Sequence, residues 1–151
     1  MHFSISREAL LKPLQMVSGV VERRQTLPVL SNVLLVLRGN ELSLTGTDLE
    51  VELIGRAQTL ESSKDGEITV PGRKLLDICK SLADDSSLEI SVSDNKLKLK
   101  SGRSRFTLTT LPATEFPSVD EEPDAYSITI TQAKLRELLD ATSFAMAQQD
   151  V

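Results

Sequence analysis

Apolar and polar residues alternate from Phe3 to Ile5, and beyond Arg7 the apolar positions take a helical spacing at Leu10, Leu11, Leu14 and Val17. The same change of period returns twice. "FSISREALLKPL" from Phe3 is matched by "ITVPGRKLLDIC" from Ile68 and by "ITITQAKLRELL" from Ile128. Phe3, Ile5, Leu10 and Leu11 recur 65 residues later as Ile68, Val70, Leu75 and Leu76. Ile68, Val70 and Leu75 recur 60 residues later as Ile128, Ile130 and Leu135. Each copy reads as a strand followed by an amphipathic helix, so the chain is built from a repeated unit.

The stretches beyond the first two copies are also alike. "NVLLVL", "LSLTG" and "LEVELIGRAQ" come after the first helix; "LEISV", "LKLKS" and "RFTLTTL" come after the second. Gly39-Asn40 and Asp94-Asn95 suit tight hairpin turns, because these residues tolerate positive φ. The pattern predicts one α+β domain over residues 1–122, with two helices and eight strands. Its two strand–helix–three-strand repeats are pseudo-symmetric, with the helices on one side of antiparallel sheets. "LPATEFPSVDEEPDAYS" reads as an extended acidic connection. Residues 123–151 then hold this connection and the opening strand and helix of an incomplete second domain.

The helix faces are set by the spacing. Leu75, Ile78, Cys79 and Leu82 form the inward stripe of the second helix, leaving Arg73, Asp77 and Lys80 outward. In the first helix Lys12 and Gln15 are outward, and Pro13 predicts a bend or a late start. In the third, Leu135, Leu138, Leu139 and Thr142 make the stripe, with Lys134 and Arg136 outside it.

Composition narrows the function. The chain has 151 residues, 40% of them hydrophobic and 26% charged, and a net charge of −5. No apolar run is long enough for a membrane span, and "MHFSISREAL" lacks the features of a signal peptide. One cysteine excludes an internal disulfide and fits a reducing cytoplasm. One histidine argues against a Ser-His-Asp site or a zinc site. Aromatic residues are 3% of the chain, which argues against a stacking platform for single strands. The expectation is a soluble, non-enzymatic domain.

Four stretches carry candidate chemistry. Arg23 and Arg24 stand at the C-terminal end of the first helix or just after it, where they either complement its dipole or reach a phosphate from a loop. Asp48, Glu50 and Glu52 alternate as on one solvated strand face, too spread to converge on a metal ion. "TVPGRKL" has a glycine before a helix but not the spacing of a phosphate loop. "SGRSRFTLTTLP", read as a strand, puts Arg103, Arg105, Thr107 and Thr109 on one face and Ser104, Phe106, Leu108 and Thr110 on the other. Two like charges side by side call for a partner.

"LLKPLQMVSG", "TLPVLSN", "LSLTGTDLE", "SGRSRFTLTTLP" and the terminal "MAQQDV" together resemble the sliding-clamp family, the β subunits of bacterial DNA polymerase III. The resemblance runs along the whole chain. It implies the DNA-clamp fold, no cofactor, and a processivity factor: a head-to-tail ring that encircles double-stranded DNA and tethers the replicative polymerase. This chain would be an N-terminal fragment of such a protein. The implied partners are duplex DNA held without sequence preference, a second clamp subunit, the DNA polymerase III core and the clamp loader, with no membrane. Arg24 and Gln149 match residues that touch the duplex in the family, and Arg73, Lys80 and Lys12 would face the hole. Lys74, Arg103, Arg105, Phe106 and Leu108 would form the subunit interface. An enzyme would need a nucleophile–base pair or a metal cluster that the residues do not suggest. A protein-interaction module that encircles nothing is the other alternative.

Overall fold

Strand β1 (His2–Ser6) sends Phe3 and Ile5 into the core and leads directly into helix α1 (Arg7–Val17). The structure is a computed structural model and describes residues 1–21, 27–117 and 128–146. Ser6 sets the start of α1, its hydroxyl accepting from the Ala9 N–H at 3.2 Å and so satisfying a donor of the first turn. The helix therefore does not start late, and it runs through Pro13. Leu10, Leu14 and Val17 are fully buried.

Three strands come next: β2 (Asn32–Arg38), β3 (Glu41–Thr47) and β4 (Glu52–Gln58). Gly39 takes positive φ in the first hairpin turn. Two glycines let α1 lie directly on this sheet. A Cβ on Gly46 would stand 2.6 Å from the Val17 carbonyl oxygen, and one on Gly55 would stand 2.7 Å from the Pro13 Cβ.

After them lies β5 (Glu61–Lys64), a ninth strand where the pattern predicts eight. Its four polar residues carry no alternation to read, and main-chain pairing with β1 holds it. The second repeat consists of β6 (Gly66–Pro71), helix α2 (Gly72–Ser81), β7 (Ser87–Ser93), β8 (Lys96–Ser101) and β9 (Ser104–Thr109). Asp94 and Asn95 both take positive φ in the β7–β8 turn, as the hairpin reading requires.

The repeats exchange their first strands. One sheet has the order β5-β1-β7-β8-β9 and the other β4-β3-β2-β6, so each hairpin trio pairs with the opening strand of the other repeat. Neighbours in both sheets are antiparallel. One core joins them, drawing Ile5, Leu14, Leu35, Leu44, Leu75, Ile90 and Leu99 from both helices and both sheets. The outer edges of the two opening strands are covered alike. β5 lies along β1, and Leu111 bridges Thr69 of β6. The Thr69 hydroxyl accepts from Asn32 Nδ2 at 2.9 Å and donates to the Leu111 carbonyl at 3.0 Å, which satisfies a buried polar cluster. β5, β4 and β9 are each paired with a strand on one side among the described residues, β4 and β9 being the third strands of the two trios.

Met1–Val119 form one compact unit and Asp120–Val151 a second. In the second, helix α3 (Gln132–Thr142) is capped by Thr131, whose hydroxyl accepts from the Lys134 N–H at 3.3 Å. The strand expected at Ile128 and Ile130 is not formed. A strand needs a ladder partner, and none is present for it among the described residues. The expected stripe of Leu135, Leu138 and Leu139 is correspondingly exposed.

Candidate nucleic-acid and subunit interfaces

The helix pair carries the first group of predicted residues. Lys12 of α1 is exposed and lies beside Pro13, Met16, Ile54 and Arg56, where the helix crosses β4. On α2, Leu75 and Cys79 are buried while Arg73, Lys74, Asp77 and Lys80 are exposed, as the helical spacing requires. Lys80 stands in the last turn of α2, where a cation complements the helix dipole. Arg73 is not a free cation: its Nη2 donates to the Val21 carbonyl at 3.1 Å. Arg7 makes the reciprocal link, its Nε donating to the Cys79 carbonyl at 2.8 Å and its Nη1 pairing with Asp84 at 2.7 Å. An arginine from the start of each helix thus reaches the end of the other, which fixes the pair as antiparallel. Arg23, Arg24 and Gln149 lie outside the described residues. Lys134 pairs with Glu137 at 2.8 Å on α3, and Arg136 is exposed.

The second group lies on β9. Arg105 stands directly opposite Lys100 of β8, which is the like charge beside it. Lys100 is relieved by Glu89 at 3.1 Å, across on β7. The bond from Lys100, its positive charge and the nearby His2 ring hold the Glu89 carboxyl below its ordinary range. Arg105 has no carboxylate within ion-pair distance among the described residues. Arg103 does not share its strand face. Ser101 pairs with Ser104, so Gly102 and Arg103 form the two-residue turn, with Gly102 at φ 55. The apparent alternation runs straight through a turn that glycine makes possible. Phe106 and Leu108 face inward opposite Leu99 and Leu97. Leu108 is only 8% exposed and has little surface left for a partner, whereas Phe106 is half-buried.

Another candidate resolves as local structure. Asp48 and Glu50 do not share a strand face with Glu52, because the chain turns between β3 and β4. The Asp48 carboxylate accepts from the Val51 N–H at 2.7 Å and the Glu50 N–H at 2.9 Å, and these bonds hold its pKa below the ordinary 3.8. Cys79 is buried, and burial pushes its thiol up to about 11 against the opposing charge of Arg7. The free edge of β4, with exposed Ile54 beside Met16, has no counterpart among the predicted sites. The repeat held the signal for it, since "LEVELIGRAQ" occupies the place of "RFTLTTL".

The sequence model described as "DNA polymerase III beta subunit, N-terminal domain" matches residues 1–120. The chain belongs to that family. It is 67% identical over its whole length to the beta sliding clamp of Pseudomonas putida and 45% identical to that of Escherichia coli K12. In each case it spans 41% of the relative's length. Its fold overlays all of this chain on 41% of the crystal structure of the DNA polymerase III subunit beta from Pseudomonas aeruginosa, with a TM-score of 0.94 and 65% identity. The sliding clamp of Caulobacter crescentus gives the same score and the same coverages at 38% identity. The α+β fold is therefore the clamp fold of this family. Among the described residues no helix is long and apolar enough to cross a membrane.

Proposed function

We propose that this chain forms the first domain of a sliding clamp, a ring-shaped processivity factor that encloses duplex DNA and tethers the replicative polymerase. The observation that carries the reading is the placement of charge. A chain of net charge −5 has exposed Lys12, Arg73 and Lys80 outnumbering the exposed Glu8 and Asp77 on its paired helices. Residues 1–120 match the family's N-terminal domain, and the relatives that share the whole chain are named sliding clamps. Phosphate contacts through such side chains confer no base specificity. A closed ring does not need them to be strong, because topology prevents escape while each contact exchanges as the ring slides.

In this reading residues 1–122 are the first domain and residues 123–151 lead into a second. Lys12, Arg24, Arg73, Lys80 and Gln149 face the duplex. Lys74, Arg103, Arg105 and Phe106 belong to the contact with a second subunit, with Leu108 buried behind them, and carboxylates of that subunit relieve Arg105. The polymerase core and the clamp loader are the protein partners, no cofactor takes part, and the protein works in the cytoplasm without chemistry of its own. Primer extension by the replicative polymerase tests this. Adding the protein at its relatives' full length should lengthen the products made in one binding event. Unchanged product lengths would remove the processivity reading and favour an interaction module.

A further inference from the structure

Strand β8 turns a row of lysines to solvent. Leu97 and Leu99 are buried in the core that holds both helices, so Lys96, Lys98 and Lys100 point away from the helices and are exposed. Lysine is disfavoured within strands, and three like charges in a row repel. Lysines often guard the edge of a sheet, but β8 is paired on both sides, to β7 and to β9. The fold does not require them either. The equivalent strand of the first repeat is β3, which follows Gly39-Asn40 as β8 follows Asp94-Asn95 and is likewise paired on both sides. It keeps the two buried leucines as Leu42 and Leu44, but its outward residues are Glu41, Ser43 and Thr45.

Little in the domain offsets the row. Lys100 pairs with Glu89 at 3.1 Å. Lys96 stands opposite Ser93 and Thr109, and Lys98 opposite Ser91 and Thr107. Neither lysine has a carboxylate within ion-pair distance among the described residues. We propose that this outward face of β8 docks an extended acidic peptide of a protein partner, one in which every second residue is a carboxylate. Outward residues of β8 are about 6.7 Å apart along the strand, and alternate residues of an extended peptide have the same spacing, so one carboxylate meets each lysine. Nucleic acid fits less well. The outward positions of β7, β8 and β9 carry no aromatic residue on which a base could stack, because Phe106 faces inward. The inference stands apart from the proposed enclosure of duplex, which concerns the helix side of the domain.

The test is titration of the protein, at its relatives' full length, with two synthetic peptides of the same length and composition. In the first, Glu and Thr alternate; in the second, Glu-Glu and Thr-Thr pairs alternate, so that carboxylates fill only every second outward position on either face. At low salt the first peptide should bind more tightly than the second, and added salt should weaken it. Changing Lys96→Ser and Lys98→Ser together, which gives β8 a side chain that β3 already carries, should weaken the first peptide at least about 3-fold without lowering the melting temperature. Changing Lys96→Arg and Lys98→Arg should retain its binding. Equal affinity for the two peptides, or affinity indifferent to the serine changes, overturns the inference. Single-stranded and duplex oligonucleotides form the second arm. If neither peptide binds while an oligonucleotide loses affinity with the serine changes, the face belongs to nucleic acid and the inference fails.

Discussion

Asp48 shows how one side chain fixes a turn that strand alternation conceals. Its carboxylate takes the Val51 and Glu50 N–H groups, while the Thr47 hydroxyl accepts from the Leu49 N–H and donates to the Val51 carbonyl. Leu49 sits at φ 79, a conformation unfavourable for a branched side chain, and the bonds on either side hold it there. These bonds set a pH dependence. The folded-state pKa of Asp48 lies below its ordinary 3.8, so its stabilisation is fully present above that value and is lost as pH falls through the folded value. The expected outcome is that Asp48→Asn flattens the fall of melting temperature below about pH 4, compared with the parent. Parallel curves for the two proteins would show that the carboxylate does not supply this stability.

Among the elements, the seat of α1 on the four-stranded sheet gives the sharpest expectation. An alanine at Gly46 would press on the Val17 backbone carbonyl, which no rotamer change can relieve. Gly46→Ala should therefore cost about 1–3 kcal/mol, read as a lower urea midpoint at unchanged slope. The helices themselves were legible in the sequence, because Leu10, Leu14, Leu75 and Cys79 recur with helical spacing. So were the hairpins at Gly39-Asn40 and Asp94-Asn95, where residue chemistry determines the turn. The exchange of β1 and β6 between repeats was not legible, since pairing between distant strands leaves no local mark. Neither was β5, which owes its place to backbone bonds with β1. At the candidate sites the period alone implied the exposure of Lys12, Arg73 and Lys80, but the tie from Arg73 to Val21 joins positions 52 apart. The Gly102-Arg103 turn was marked by its glycine, and alternation on either side masked it.

At the scale of the whole molecule, the open edge of β9 bears on ring closure. If Arg103 and Arg105 meet carboxylates of a second subunit, changing both to alanine leaves those carboxylates unpaired. The expected loss is about 2–5 kcal/mol of association, larger than for an exposed ion pair, with the domain still folded. Sedimentation of the protein at its relatives' full length should show dimer shifting to monomer. An unchanged dimer dissociation constant would return both arginines to solvent. The central proposal is that a ring containing this domain holds DNA by enclosing it, and retention on circular duplex tests that most directly. Protein loaded onto a closed circle should stay with it through gel filtration in moderate salt and come off when the circle is cut once. Equal retention on circular and linear duplex would contradict the account, because contact rather than enclosure would then be holding the DNA.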